Sequence, residues 1–365
     1  MPASTIVASG GQIRLYDDSV QTFEELPVGT YAIEFSQMSG YSLRAVEPLG
    51  PGDEPIYGSH PSRVERILSG YRAMSRSLGV ILSGDKGMGK SLMIRMLAER
   101  ARDDLGLPTV LVQHSTPALA SFLNELGECL IVFDEFEKVF APDSEGDEGA
   151  QNQFLSLFDG LSTTKRLYAL SVNNLHRVSD YMLNRPGRFH YHMRFEYPDP
   201  QTVERYLRDQ VPGAQPEHVD EVVDFSRKYD VNFDHLRAIA FELALGATFS
   251  EVIGDLNIKR VSSRGGDPVQ ARITWADGDT DVISGHVDLF DSDRLQAITD
   301  WSLDVELRFR MRDAVPSQEG YLLPPGSFEL VDVRDEEQRQ ESDQDRVAGN
   351  QPIVLRRPEK ASLDF

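Results

Sequence analysis

Between residues 56 and 200, unbroken apolar runs alternate with segments of helical periodicity. "LGVILSG" (78–84), "PTVLVQH" (108–114), "CLIVFDE" (129–135) and "RLYALSVNN" (166–174) read as strands buried on both faces. "SLMIRMLAERAR" (91–102) reads as a helix with Met93, Met96, Leu97 and Ala101 on one face. This alternation predicts a parallel sheet flanked by helices. From 201 to 256 the pattern is helical throughout. "QTVERYLRDQ", "PEHVDEVVDFSRKY", "NFDHLRAIAFELAL" and "TFSEVIGDL" each follow a Pro, Asp, Asn or Thr start signal.

Period-two texture appears at both flanks. "QIRLYD" and "GTYAIEFSQMSGYSLRAVEPL" predict a β-rich domain over residues 1–52, and "PLGPGDEP" (48–55) a linker. "VQARITWADGDTDVISGHVDLF" and "SLDVELRFRM" predict a second β-rich domain over 259–333, with an Asp-Gly turn at 277–278 and Trp275 and Trp301 packed inside it. Residues 334–365 are polar and charged and are expected to be a disordered tail. The α/β core is bounded at 53–200 and the helical segment at 201–258.

Composition narrows the picture. The 365-residue chain has a formal net charge of −22, which argues against a general nucleic-acid coat. No apolar run reaches the roughly 18 residues of a membrane span, and no signal peptide is evident. The single cysteine, Cys129, fits a reducing compartment and reads as a small buried hydrophobe. The expected location is cytoplasmic.

The sharpest chemical signal is "GDKGMGKS", residues 84–91, which fits G-x-x-x-x-G-K-[ST] between a buried strand and a helix. Glycines there let backbone N–H groups converge on phosphates, and the helix adds its positive end. Lys90 would reach the β- and γ-phosphates and Ser91 would ligate Mg²⁺. Gly84, Lys86, Gly87, Met88, Gly89, Lys90, Ser91 and Leu92 form the candidate phosphate-binding set. Downstream, "LIVFDEF" ends a strand in Asp134 and Glu135. Asp134 would hold Mg²⁺ and Glu135 would act as general base on water. "YALSVNN" ends a strand in two amides, of which Asn173 is favoured over Asn174 to hold that water. His190 and His192 share one side of a predicted strand without a third metal ligand nearby. The acidic "VFAPDSEGDEGAQ" lacks the spacing of a calcium loop and reads as solvated.

In this order the segments resemble the AAA+ ATPases, and within them the AAA group proper, over residues 57–256. "GDKGMGKS" is similar to the family's Walker A, "LIVFDE" to Walker B, "LSVNN" to the sensor 1 strand end and "FLSLFDGL" (154–161) to the helix before it. "IYGS" resembles the segment that touches adenine, which adds Tyr57 and Gly58 to the nucleotide set. "LNRPGRF" resembles the arginine-finger segment, so Arg185 and Arg188 would act in a neighbouring subunit's site. The resemblance implies a P-loop NTPase fold, a five-stranded parallel sheet with a helical lid. It implies ATP and Mg²⁺ as cofactors and a homo-oligomer, most often a hexameric ring. Such short single-ring proteins occur among bacteriophage and prokaryotic genes.

Two features depart from the family pattern. Residues 114–128 are short and carry no aromatic-Gly pore loop, and Asp234 stands where many AAA+ proteins have the sensor 2 arginine, with Arg237 one turn on. The AAA group proper also lacks that arginine. The leading expectation is an ATP-hydrolysing ring that remodels or disassembles a protein client or adaptor recruited by the β-rich flanks. The alternatives are a nucleotide-switched assembly ring with slow hydrolysis, and a nucleic-acid motor or loader, for which basic residues are few. No membrane partner is expected.

Overall fold

A computed structural model describes residues 5–9, 12–16, 20–53, 55–116, 118–140, 157–158, 164–178, 189–253, 256, 266–275, 278–317, 319–333 and 351–357. The chain divides into two compact units, residues 1–196 and 197–365.

In the first unit, β1 (Thr5–Ser9) and β2 (Gln12–Tyr16) form an antiparallel pair. They are followed by β3 (Thr30–Ser36), β4 (Gly40–Val46), α1 (His60–Ala73), β5 (Leu78–Ser83) and α2 (Lys90–Leu105). Then come β6 (Thr109–Val112), α3 (Leu119–Glu125), β7 (Leu130–Phe133), α4 (Phe136–Val139), β8 (Leu167–Val172) and β9 (Phe189–Arg194). Among the described residues the main sheet has seven strands in the order β4-β3-β6-β7-β8-β5-β9. Six of them run parallel, and five of these, β6-β7-β8-β5-β9, make up the parallel sheet that the alternating pattern and the resemblance imply. Every residue of β5, β7 and β8 is buried, because helices cover both faces. Cys129 lies in the same core, where burial pushes its thiol up to about 12.

Residues 1–52 do not stand apart from this sheet. β3 joins β6 in parallel, and β4 folds back antiparallel to form the edge. Tyr41 on β4 stacks on Phe122 of α3 with ring centroids 4.6 Å apart, and its hydroxyl hydrogen-bonds the Thr116 hydroxyl at 2.6 Å. Leu26, Ile33 and Leu43 pack on the sheet's core cluster. Apolar faces on this hairpin need cover, and the open β6 edge supplies it.

In the second unit, α5 (Pro200–Gln210), α6 (Pro216–Lys228), α7 (Phe233–Ala244) and α8 (Phe249–Val252) match the four predicted helices. Asp199 caps α5 by accepting the Thr202 N–H at 2.8 Å, and capping boxes start α7 at Asn232 and α8 at Thr248. The β structure follows as β10 (Asp267–Thr274), β11 (Thr280–Val287), β12 (Leu295–Asp300), β13 (Val305–Arg310), β14 (Val315–Ser317), β15 (Gly320–Leu323), β16 (Phe328–Asp332) and β17 (Ile353–Arg356). These strands form two sheets, β11-β10-β17-β15-β14 and β12-β13-β16, which share one apolar core. Helices and strands of this unit are tied together rather than separated at 258. Tyr321 donates to Asp224 at 2.9 Å, and Arg357 pairs with Asp230 at 2.7 Å.

Two expectations about this unit are corrected. The tail is not wholly disordered: β17 lies inside it and inserts between β10 and β15, burying Ile353 and Leu355. Four residues between charged neighbours carry too short an alternation to register as a strand. Trp275 is buried and donates its indole N–H to Asp281 at 2.6 Å, but Trp301 sits at the β12–β13 turn and is 75% exposed. Residues 334–350 and 358–365 of the expected tail lie outside the described residues, as does the acidic segment 142–149.

Candidate functional site

Parallel register brings three strand ends to one place. Ser83 of β5 lies opposite Val172 of β8, and Phe133 of β7 opposite Leu170. The residues that follow each strand therefore converge at the carboxyl edge of the sheet. These are the Gly-rich loop, the Asp134–Glu135 pair and Asn173.

The loop is shaped by its glycines. Gly84 has φ +146°, and a Cβ there would collide with the backbone carbonyl oxygen of Phe195. Gly87 and Gly89 have φ +73° and +90°, and Gly89 forms the left-handed start of α2. Lys90 is 6% exposed and its ammonium donates to the carbonyls of Gly84 at 2.6 Å and Asp85 at 2.7 Å. Burial lowers its pKa, while the charges of Glu137, Asp85, Asp134 and Glu135 oppose that shift. Ser91 is exposed at the helix start, Leu92 is half-buried and Met88 is buried. Lys86 reaches toward Glu135, 3.9 Å away.

Tyr57 and Gly58 reach this loop through His60. The buried His60 ring contacts the Tyr57 carbonyl at 3.0 Å by Nδ1, and a Cβ on Gly89 would lie 2.8 Å from its Nε2. Glycine at 89 thus admits both the left-handed turn and the imidazole. Burial, first, lowers the His60 pKa.

Asp134 and Glu135 are organised by β8. Ser171 donates its hydroxyl hydrogen to Asp134 Oδ1, and the Ser171 Oγ itself accepts the Glu135 N–H at 2.8 Å. Glu135 has φ +50°, a left-handed turn between β7 and α4 that aims its side chain out of the strand line. Asn173 Nδ2 donates to Glu135 Oε1 at 3.1 Å and to Glu137 Oε1 at 3.0 Å. Lys138 ion-pairs with Glu135, and that hydrogen bond is the main reason the carboxyl sits below the usual range. Asn174 is exposed on the following turn.

Arg185 and Arg188 lie outside the described residues, as does most of "FLSLFDGL", of which Leu157 and Phe158 are described and buried. His192 hydrogen-bonds the Ser83 hydroxyl at 2.7 Å. Among the described residues no cluster of three His, Cys, Asp or Glu is placed to hold a metal, and no helix is long and apolar enough to cross a membrane.

Sequence reasoning missed His60, Ser171, Glu137 and Lys138. Lys138 stands one turn after Glu135, a spacing that points to an ion pair. The other three carry no local signal.

The donor set fits a nucleoside triphosphate with Mg²⁺. It combines a cradle that Cβ atoms would fill, a buried ammonium beneath it, a hydroxyl at the helix start and a carboxylate at the end of β7, which β8 separates from the loop's own strand β5. Comparison with known proteins points the same way. Residues 80–197 match the family described as "ATPase family associated with various cellular activities (AAA)". The chain is 28% identical over 159 residues to ATP-dependent zinc metalloprotease FtsH 1 of Symbiobacterium thermophilum, covering 38% of this chain and 26% of that protein. It is 26% identical over 252 residues to the human peroxisomal ATPase PEX1, covering 58% of this chain and 19% of that one. A third relative, the FtsH of Lancefieldella parvula, is 30% identical over 149 residues, covering 36% and 22%. The chain thus spans about a quarter or less of the length of these relatives.

Proposed function

Because the chain carries an AAA-family ATPase domain with its P-loop NTPase α/β fold, we propose that it hydrolyses ATP as a ring-forming oligomer and uses that work to remodel or disassemble a protein partner. The observation that carries the catalytic part is the Asn173 amide donating to Glu135 at 3.1 Å beside Asp134 and the Gly-rich loop. Loop N–H groups and Lys90 would bind the β- and γ-phosphates. Ser91 and Asp134 would hold Mg²⁺, which supplies charge neutralisation on the phosphates when bound. Glu135 would take a proton from the attacking water, and Asn173 would orient that water against the γ-phosphate. Tyr57 and Gly58, linked to the loop through His60, would flank the base.

The oligomeric part rests on the family resemblance of "LNRPGRF". Arg185 and Arg188 would enter the neighbouring subunit's site and offset charge on the transferring phosphoryl group. Ring formation and a protein client are features supported by that resemblance and by the AAA relatives. The β structure at both ends of the chain would contact the client or an adaptor.

The test mixes two inactive variants. Lys90→Ala should abolish nucleotide binding at its own site, and Arg188→Ala should disable the neighbour's. Mixed rings should recover part of the wild-type turnover, whereas each alone should not. Absence of recovery in rings shown to be mixed would contradict action in trans.

A second reading is favoured by one observation. Glu135 is held by Lys138 and Asn173, and its carboxyl is held below the usual range, which makes it a weaker base. That suits a nucleotide-switched assembly ring with slow hydrolysis. Turnover below about one per minute, together with ATP-dependent assembly, distinguishes it.

A further inference from the structure

Glu137 performs no step in the scheme above. It lies on α4 and is 3% exposed. Its Oε1 accepts two hydrogen bonds from a single residue, the backbone N–H of Asn173 at 3.0 Å and the Asn173 amide at 3.0 Å. The same amide nitrogen also reaches Glu135 Oε1 at 3.1 Å. An amide NH₂ carries two hydrogens, so both carboxylates can be satisfied at once. One amide therefore stands between a buried carboxylate and a half-open one.

The second oxygen of Glu137 is buried and has no hydrogen-bond partner among the described residues. Leaving a carboxylate oxygen in that state opposes folding, and an apolar side chain would pack there at less cost. Its neighbours Phe136 and Phe140 belong to the apolar core. An acid at this position needs a reason beyond stability. Its electrostatic surroundings offer one: among the carboxylates around Lys90, Glu137 acts on the ammonium most strongly. Glu137 thus links the phosphate-loop lysine to the residue that faces the base.

We propose that Glu137 is a positioning residue of the hydrolysis centre, clamping Asn173 so that its amide stands against Glu135. The proposal rests on the ATPase reading above. Two bonds to one oxygen fix both the place and the rotation of the Asn173 side chain. Because the acceptor is anionic, each bond is stronger than a neutral acceptor would give. Without the clamp, Asn173 can rotate away, and among the described residues the Glu135 carboxylate keeps Lys138 and Lys86 as its partners.

The experiment compares steady-state ATP turnover and ATP affinity in the full chain for wild type, Glu137→Gln, Glu137→Ala, Asn173→Ala and the Glu137→Ala/Asn173→Ala double variant. Glu137→Ala should lose roughly 10- to 100-fold in kcat, the scale of a misplaced catalytic group, with ATP affinity within about threefold of wild type. Glu137→Gln keeps an acceptor oxygen and should retain more turnover than Glu137→Ala. The double variant should be no slower than Asn173→Ala alone, because both changes remove one unit. Wild-type turnover in Glu137→Ala, or multiplied losses in the double variant, would overturn the clamp. Equal losses in both Glu137 variants with a matching fall in thermal stability would assign it a structural role instead. A wild-type chain that binds ATP without turning it over removes the ATPase reading and this proposal with it.

Discussion

Ser171 donates its hydroxyl hydrogen to the Asp134 carboxylate across the β7–β8 register. Its oxygen also receives the N–H of Glu135 at 2.8 Å, so one buried hydroxyl sets both acids of the pair. Ser171→Ala leaves that N–H and one Asp134 oxygen without their partner. The cost should be about 1–3 kcal/mol of stability, together with slower turnover. Denaturant melts and a turnover assay on the same preparation check both effects.

The geometry at Gly84 predicts a sharper failure. Its φ of +146° and the Phe195 carbonyl behind it exclude a side chain. Gly84→Ala should lose about 1–3 kcal/mol from backbone strain alone, and more if the loop shifts. Its affinity for a fluorescent ATP analogue should fall with it. An alanine variant of wild-type stability and affinity contradicts the loop geometry.

Lys138 sets where Glu135 titrates. Its hydrogen bond is the main cause that holds the Glu135 carboxyl below the usual range, so Glu135 stays ionised to lower pH than an unpaired glutamate. The pair's contribution is present above the unfolded Glu value and is lost as pH falls through the folded one. Lys138→Met removes the bond, and the acid limb of the kcat–pH profile should move to higher pH. A limb that stays in place or moves downward contradicts the pairing.

The short strand β17 predicts that residues 351–357 belong to the folded second unit. Leu355 is buried between β10 and β15. Leu355→Ala should cost about 2–5 kcal/mol, the range for large-to-small changes in a core. Hydrogen exchange should show that β10 and β15 lose protection in that variant, whereas no change would place the segment outside the core.

What the sequence made legible follows from distance along the chain. The Gly-rich loop is contiguous, and its strand and helix flank it directly, so pattern alone located Gly84 through Ser91. The Asp134–Glu135 pair was legible because it ends an apolar run. Ser171 and Glu137 were not: Ser171 sits inside a strand where a small polar residue looks like filler, and Glu137 sits where an acid looks solvated. Their roles exist only once the β7–β8 register brings residues about 36 apart into contact. The same limit explains the N-terminal hairpin. Its strands were visible, but nothing local to "TYAIEFS" names β6 as its partner. Trp301 is the reverse case: its place in a β-rich segment predicts an aromatic core residue, and a turn carries it outward.

The most direct test of the central claim is ATP turnover by the purified chain with Mg²⁺, compared with its Glu135→Gln variant. Glutamine keeps the size of the side chain and the oxygen that accepts from Asn173, but it cannot take a proton from water. Glu135→Gln should bind ATP as wild type does while kcat falls by about 10²–10⁴-fold, the contribution of a general base. Near-normal turnover in Glu135→Gln would contradict it.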